Sequence, residues 1–419
     1  MNLKMDTNNY LFPIKMWAIS RIVVGLLIAF IIPFLSTETS QDLASTHFGW
    51  DAFSEWDSLH YKSIVMNGYQ YTSDGEGYNV AFFPLYPLSI KILMFWGLSF
   101  ESAGVLINSL GFLVALILFY TWIFENYSKT IAQWSIAILA WCPFSLFCTV
   151  IYTEGLFLFF SISALVFFEK KKYFLASIFG SLSTATRVTG LALIPAFLLA
   201  SWRQKRKISA YLSAIFSITG IFSYMAYCWF QFHEPLAFLK VQKAWNPSDQ
   251  SFWGEGWLKM VSQLLFGFIN TKYGTLKDPL YIVAMLIIIA LFLALWRYRK
   301  QWGVKSTYGC FFVIFLLWVL SGNPFINLGM VFGGLYLFWH SRSQLPNSYI
   351  LYGIFSFLII FSSGRTASAE RYVYAIAPLS LSLGILLDRH ARWGYGTIIF
   401  FGILLAIYSI RFSQGLWVA

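Results

Sequence analysis

Residues 281–295 read YIVAMLIIIALFLAL, and residues 110–120 read LGFLVALILFY. Neither stretch carries a charge, and neither alternates apolar with polar residues. A strand of a membrane barrel would alternate with period two. In lipid, only helices and closed barrels satisfy all their backbone hydrogen bonds. Runs of this kind therefore predict membrane-spanning helices. The rest of the 419-residue chain agrees: 58% of residues are hydrophobic and 11% charged, and the mean hydropathy is +0.65. A soluble domain has roughly 25% charged residues. The composition predicts an all-α polytopic membrane protein, with residues 1–419 forming one transmembrane domain. No soluble domain is expected at either end, and no inverted repeat is visible.

The formal charge is +11, and its placement explains it. Basic clusters stand at Lys170–Lys172, Arg203–Lys207, Arg297–Lys300 and Arg389–Arg392. Short loops rich in Lys and Arg face the cytoplasm, so a nucleic-acid partner is not needed to account for the basic balance. Cys142, Cys148, Cys228 and Cys310 lie in apolar segments and form no CxxC pair. They indicate neither a disulfide framework nor a zinc site. The apolar run Met16–Leu35 is expected to be a retained first helix, not a removed signal peptide.

Alternating sides from these anchors gives about thirteen spans. The first external loop, 36–79, holds Glu38, Asp42, Asp51, Glu55, Asp57, Asp74 and Glu76, the most acidic part of the chain. Pro84 and Pro87 follow within a short apolar piece. They argue against a plain span and for juxtamembrane helices at the outer interface, where aromatic rings fit. A second external loop covers 231–278. Between Lys172 and Arg203 only about thirty residues are available, yet two full spans need roughly twenty each. The segment must be a short hairpin with its apex near Ser183–Gly190, which places Arg187 inside the protein. Ionisable residues at such depth face a cavity or a partner.

Several side chains could carry chemistry. Asp57, framed by aromatics just outside a span, has the character of a general base, although six other acids lie in the same loop. Glu154 begins a span, where the helix dipole favours an acid. Arg187 needs either an anionic ligand or an acid such as Glu154, because a buried guanidinium is costly alone. Arg365 and Arg371, on the outer turn Ser362–Arg371, suit phosphate recognition, or else snorkel towards lipid headgroups. His60 is either an acid-base group or a packed, hydrogen-bonded ring. Tyr372 and Lys243 complete the substrate-binding candidates. No GxxxxGK or GxGxxG follows a strand. No metal ligand set is assigned and no cofactor is expected, although the acids leave room for a divalent metal.

Taken together, several segments resemble a known family. Trp56-Asp57-Ser58-Leu59-His60-Tyr61, Asn67-Gly68-Tyr69 and Ala81-Phe82-Phe83-Pro84-Leu85-Tyr86-Pro87 are similar to the first outer loop of the PIG-V mannosyltransferases. Pro143-Phe144-Ser145, Tyr152-Thr153-Glu154-Gly155-Leu156-Phe157, Thr186-Arg187-Val188-Thr189-Gly190-Leu191 and Ala367-Ser368-Ala369-Glu370-Arg371-Tyr372 follow in family order. The resemblance implies a GT-C fold and a polyprenyl-phosphate sugar donor, with mannose the expected sugar. It also implies a catalytic carboxylate in the first outer loop, which maps to Asp57. Expected partners are that donor, a lipid-linked or glycan acceptor, and membrane lipids. The acceptor side of the family pattern is not matched, and the short loops point to a prokaryotic plasma membrane with the site on its outer face. A lipid-linked-sugar flippase or transporter is the alternative, though such proteins commonly show internal repeats. A non-enzymatic membrane scaffold would not need this acidic loop beside buried arginines.

Overall fold

The computed structural model describes residues 7–31, 49–245 and 254–418. Among the described residues there is no strand. In chain order the helices that build the bundle and its site are α1 Thr7–Leu26, α2 Asp57–Asn67, α3 Leu85–Phe95, α4 Phe100–Asn126, α5 Lys129–Trp141, α6 Glu154–Glu169, α7 Tyr173–Thr186, α8 Leu193–Arg203 and α9 Ile208–Phe216. They continue as α10 Thr219–Phe232, α11 Glu255–Phe266, α12 Pro279–Arg297, α13 Val304–Ser321, α14 Asn323–Ser341, α15 Asn347–Ser362, α16 Ala369–Tyr374, α17 Pro378–Asp388 and α18 Ala391–Ser413. Among the described residues, six segments are long and apolar enough to cross a membrane: 10–31, α4, 208–232, α12, α13 and α18. The protein is a multi-pass membrane protein. Shorter or broken helices occupy the other expected positions, including α5, α6 and the α16–α17 pair.

Two helices show how differently apolar sequence is used. Helix α6 is buried on nearly every side and packs between α4 and α7. Helix α12 is just as apolar, yet only Met285 and Ile288 are buried, while Leu280, Val283, Leu286, Ile287 and Leu293 are exposed. An open apolar surface of that extent suits lipid and not water.

The expected short hairpin is present as α7 and α8, joined by the 3-10 turn Val188–Ala192, with Arg187 at the C-terminal end of α7. Gly190 makes the tight return possible, because a Cβ there would stand 2.7 Å from the Ser183 carbonyl. The basic loops at the two ends of the hairpin lie side by side. The guanidinium of Arg206 donates to both carboxylate oxygens of Glu169, at 2.9 and 3.0 Å, and to the Phe168 carbonyl at 2.9 Å. Ser348 donates to Glu169 at 2.6 Å, tying α15 to the same corner. Glu154 and Glu169 begin and end α6, so this clamp is roughly 22 Å from Glu154 along the helix.

At the Glu154 end lies the described part of the segment expected to be the first external loop. A 3-10 turn, Gly49–Phe53, precedes α2, and α3 follows. Helix α3 has 11 residues, too few to cross. Its end exposes Phe95 and Trp96 almost fully, as an interfacial helix would. The described part of the segment expected to be the second external loop carries regular structure. It contains the helical turn Ala237–Lys240 and then α11, whose Trp257 meets the rings of Phe332 and Phe361. Apolar residues spaced along α11 fold it back onto α14.

Candidate active site

Four charges from four separate segments meet at the Glu154 end of the molecule. Asp57 is the first residue of α2, and Glu154 the first of α6. In both places the helix N-terminus favours a carboxylate. Arg187 stands at the hairpin apex and Arg371 on the short helix α16. Arg371 Nη1 donates to Asp57 Oδ2 at 3.0 Å, and Arg371 Nε lies 3.3 Å from Glu154 Oε1. Arg187 Nη1 bonds the same Glu154 oxygen, and also Thr153 Oγ1 at 3.3 Å. The charges thus run in one chain, Asp57 to Arg371 to Glu154 to Arg187.

Burial separates their roles. The Glu154 side chain is 0% exposed and the two arginines are 8% exposed, but Asp57 is 26% exposed. Removing one member of a buried pair leaves an uncompensated charge, so Glu154 holds both cations in place. Asp57 is the most exposed member of the chain. Aromatic faces surround the cations. Arg371 lies over Phe147 and Tyr152, each at 5.1 Å, and Arg187 lies over Tyr372 at 4.8 Å. Such contacts hold a guanidinium without neutralising it.

His60, one turn beyond Asp57 on α2, stacks on Phe82 at 4.7 Å. Burial lowers its pKa and the nearby Asp57 raises it, with burial the larger effect. Tyr372 joins the cluster through Arg187. Arg365 is half-buried on the turn between α15 and α16 and makes no side-chain ion pair or hydrogen bond among the described residues. Lys243 falls on the 3-10 helix Val241–Trp245, and its side chain lies outside the described residues. Among the described residues, no three His, Cys, Asp or Glu side chains come together as metal ligands would.

Two positions that the sequence reading passed over build the floor of the site. Asn108, in the middle of α4, donates to the carbonyls of Phe147 and Val150, both at 2.7 Å, and accepts from Gly155 N at 2.7 Å. It secures the irregular segment that presents Tyr152 and Glu154. Arg21, buried in α1, donates to Thr149 Oγ1 at 2.5 Å, Ser145 Oγ at 2.7 Å and the Ala140 carbonyl at 3.1 Å, and also to the Ser145 carbonyl. It closes the far side of the same segment. The signal for both was a lone polar or charged residue inside an apolar span.

No family model matches the sequence, and neither does any curated protein. Among solved structures, the chain is similar to the Archaeoglobus fulgidus oligosaccharyltransferase tethered to an acceptor peptide. That match has 14% identity and a TM-score of 0.44, covering 96% of this chain and 55% of that one. It is also similar to ArnT from Cupriavidus metallidurans bound to undecaprenyl phosphate, with 11% identity and a TM-score of 0.43, covering 95% and 77% of the two chains. The chain thus spans only about half the length of the oligosaccharyltransferase. At these values the likeness is one of helical arrangement and carries no chemistry across.

Proposed function

We propose that this protein is a GT-C-type membrane glycosyltransferase that moves a sugar, mannose in the first instance, from a polyprenyl phosphate to an acceptor hydroxyl at the external face. The observation that carries the reading is the linkage of Asp57 to Arg371: a partly exposed carboxylate held by a buried cation beside a membrane-embedded helix bundle. The motifs that resemble the PIG-V enzymes supply the residues of this same cluster.

In the resting protein Arg371 neutralises Asp57. A polyprenyl phosphate seated with its chain in lipid brings negative charge to Arg371 and competes for it. Asp57 is then released from Arg371 towards the acceptor as the donor arrives. Asp57 takes the proton from the acceptor hydroxyl while that oxygen forms a bond to the anomeric carbon. The bond from the anomeric carbon to the phosphate oxygen breaks, and the phosphate leaves from the opposite face with the bonding pair. Charge growing on that oxygen is met by the pre-placed Arg371 and Arg187, with Arg365 as a further candidate donor. Attack opposite the leaving group inverts the anomeric centre, so a β-linked donor yields an α-linked product.

The test is incubation of purified protein with labelled polyprenyl-phosphate mannose and a set of hydroxyl-bearing acceptors. Transfer of label with release of polyprenyl phosphate is expected. Movement of the intact donor across vesicles, with no transfer, would replace this reading with a flippase.

A further inference from the structure

Trp56, immediately before Asp57, has φ 56° and ψ −113°. A bulky residue at positive φ is a backbone outlier, and outliers of this kind concentrate at ligand clamps and active sites. The strain does not serve to bury the ring, which is 37% exposed. The ring meets the indole of Trp417 edge-on, at 5.1 Å between centroids and 89° between planes. Trp417 is also 42% exposed.

Trp417 comes from the tail beyond α18, and that tail is held in place. Gly415 turns the chain at φ 66°. Leu416 N donates to the Arg411 carbonyl at 2.9 Å, Arg411 Nη2 donates to the Trp417 carbonyl at 3.0 Å, and Val418 is buried. The same end of α18 reaches the charge cluster. Phe412 packs against Tyr152, whose hydroxyl accepts from Asp57 N at 3.3 Å. An indole that only anchors the protein in the headgroup layer needs neither a strained backbone nor a perpendicular partner from the far end of the chain.

We propose that Trp56 and Trp417 form the acceptor subsite, a two-walled aromatic corner that receives a pyranose ring and delivers one of its hydroxyls to Asp57. The acceptor is thus a saccharide or saccharide-bearing molecule. The inference rests on the glycosyl-transfer reading of Asp57. The C–H face of a pyranose is weakly positive and apolar, and an indole face is electron-rich, so the two stack. Perpendicular walls cover one face and one edge of the ring and leave its remaining hydroxyls free.

The experiment compares wild type with Trp56→Gly and Trp417→Ala, using labelled polyprenyl-phosphate mannose as donor and methyl α-mannoside or a short mannose oligosaccharide as acceptor. Trp56→Gly suits the positive φ, so its melting temperature should equal or exceed that of wild type. In both variants the acceptor KM should rise roughly tenfold while the donor KM stays near its wild-type value, the loss expected for one stacking contact. Trp417→Phe should recover part of it. Unchanged acceptor KM in both variants would overturn the subsite and leave the indoles as interfacial anchors. A fall in activity that only tracks a fall in melting temperature would overturn it too. If wild type transfers no sugar, the proposed function fails first, and saturation-transfer NMR of the saccharide with donor-free protein decides the corner separately. A signal lost in both variants supports it; no signal, or one equal in all three proteins, refutes it.

Discussion

Arg187 shows how far single residues can be placed from sequence. Its depth followed from counting: two basic loops on one side and too few residues between them for two crossings. Glu154 was one of two partners the sequence left open, the other being an anionic ligand, and the return of the hairpin pairs the two residues across 33 positions. Arg21 was less legible. Its partners are carbonyls and hydroxyls more than a hundred residues later in the chain, and no local pattern announces such a bond. Glu370 was also hidden. It neighbours Arg371 in sequence, yet its Oε2 has no hydrogen-bond partner, and burial pushes its carboxyl up to about 7. Its value in the unfolded chain is near 4.5. The native state therefore keeps a proton that the unfolded chain releases between these limits. The stability this lends is complete below about pH 4.5 and is lost as pH rises to about 7, on the order of 3 kcal/mol in all. Melting of detergent-solubilised protein should show that slope, and Glu370→Gln should remove it. An identical pH profile for the variant would show that Glu370 is ionised in the native state.

Among the helices, those that were plain apolar runs were read well, and the breaks were not. The expected span 131–149 is helix α5 followed by the 3-10 turn Pro143–Cys148, and the expected span 208–230 is two helices with a break after Phe216. Proline explains the first, since Pro143 lacks the donor that α5 would need to continue. Nothing so local marks the second. The junction of α4 and α6 was also silent in the sequence, because it depends on an absent side chain. A Cβ on Gly155 would sit 2.1 Å from the Asn108 carbonyl. Gly155→Ala must therefore push α6 away from α4 and loosen the bonds from Asn108. Overpacking of this kind costs about 1–3 kcal/mol. A lower melting temperature together with weaker donor binding is expected. A variant as stable as wild type would mean that the two helices can slide apart freely.

Over the whole molecule, the all-helical membrane architecture was legible from the distribution of charge and apolar runs, whereas Asp57, Glu154, Arg187 and Arg371 were grouped only by the motifs that resemble the PIG-V enzymes. The form of the second external loop was not legible, because α11 folds back through contacts with α14 and α15 that lie far along the chain. The charge cluster and the basic clamp stand at opposite ends of α6, which gives the proposed external face a direct check. The native cysteines are all buried, so they offer little background to labelling. In intact cells, a cysteine at the exposed Ser73 should react with a membrane-impermeant maleimide, and one at the exposed Lys171 only after permeabilisation. The reverse pattern would put the site in the cytoplasm. The chemistry itself turns on one carboxylate. The decisive measurement is transfer of labelled sugar from polyprenyl-phosphate mannose by wild type and by Asp57→Asn, with melting curves for both. The account predicts that the variant folds as wild type does but loses transfer by at least about a hundredfold. Transfer by Asp57→Asn at the wild-type rate would contradict it.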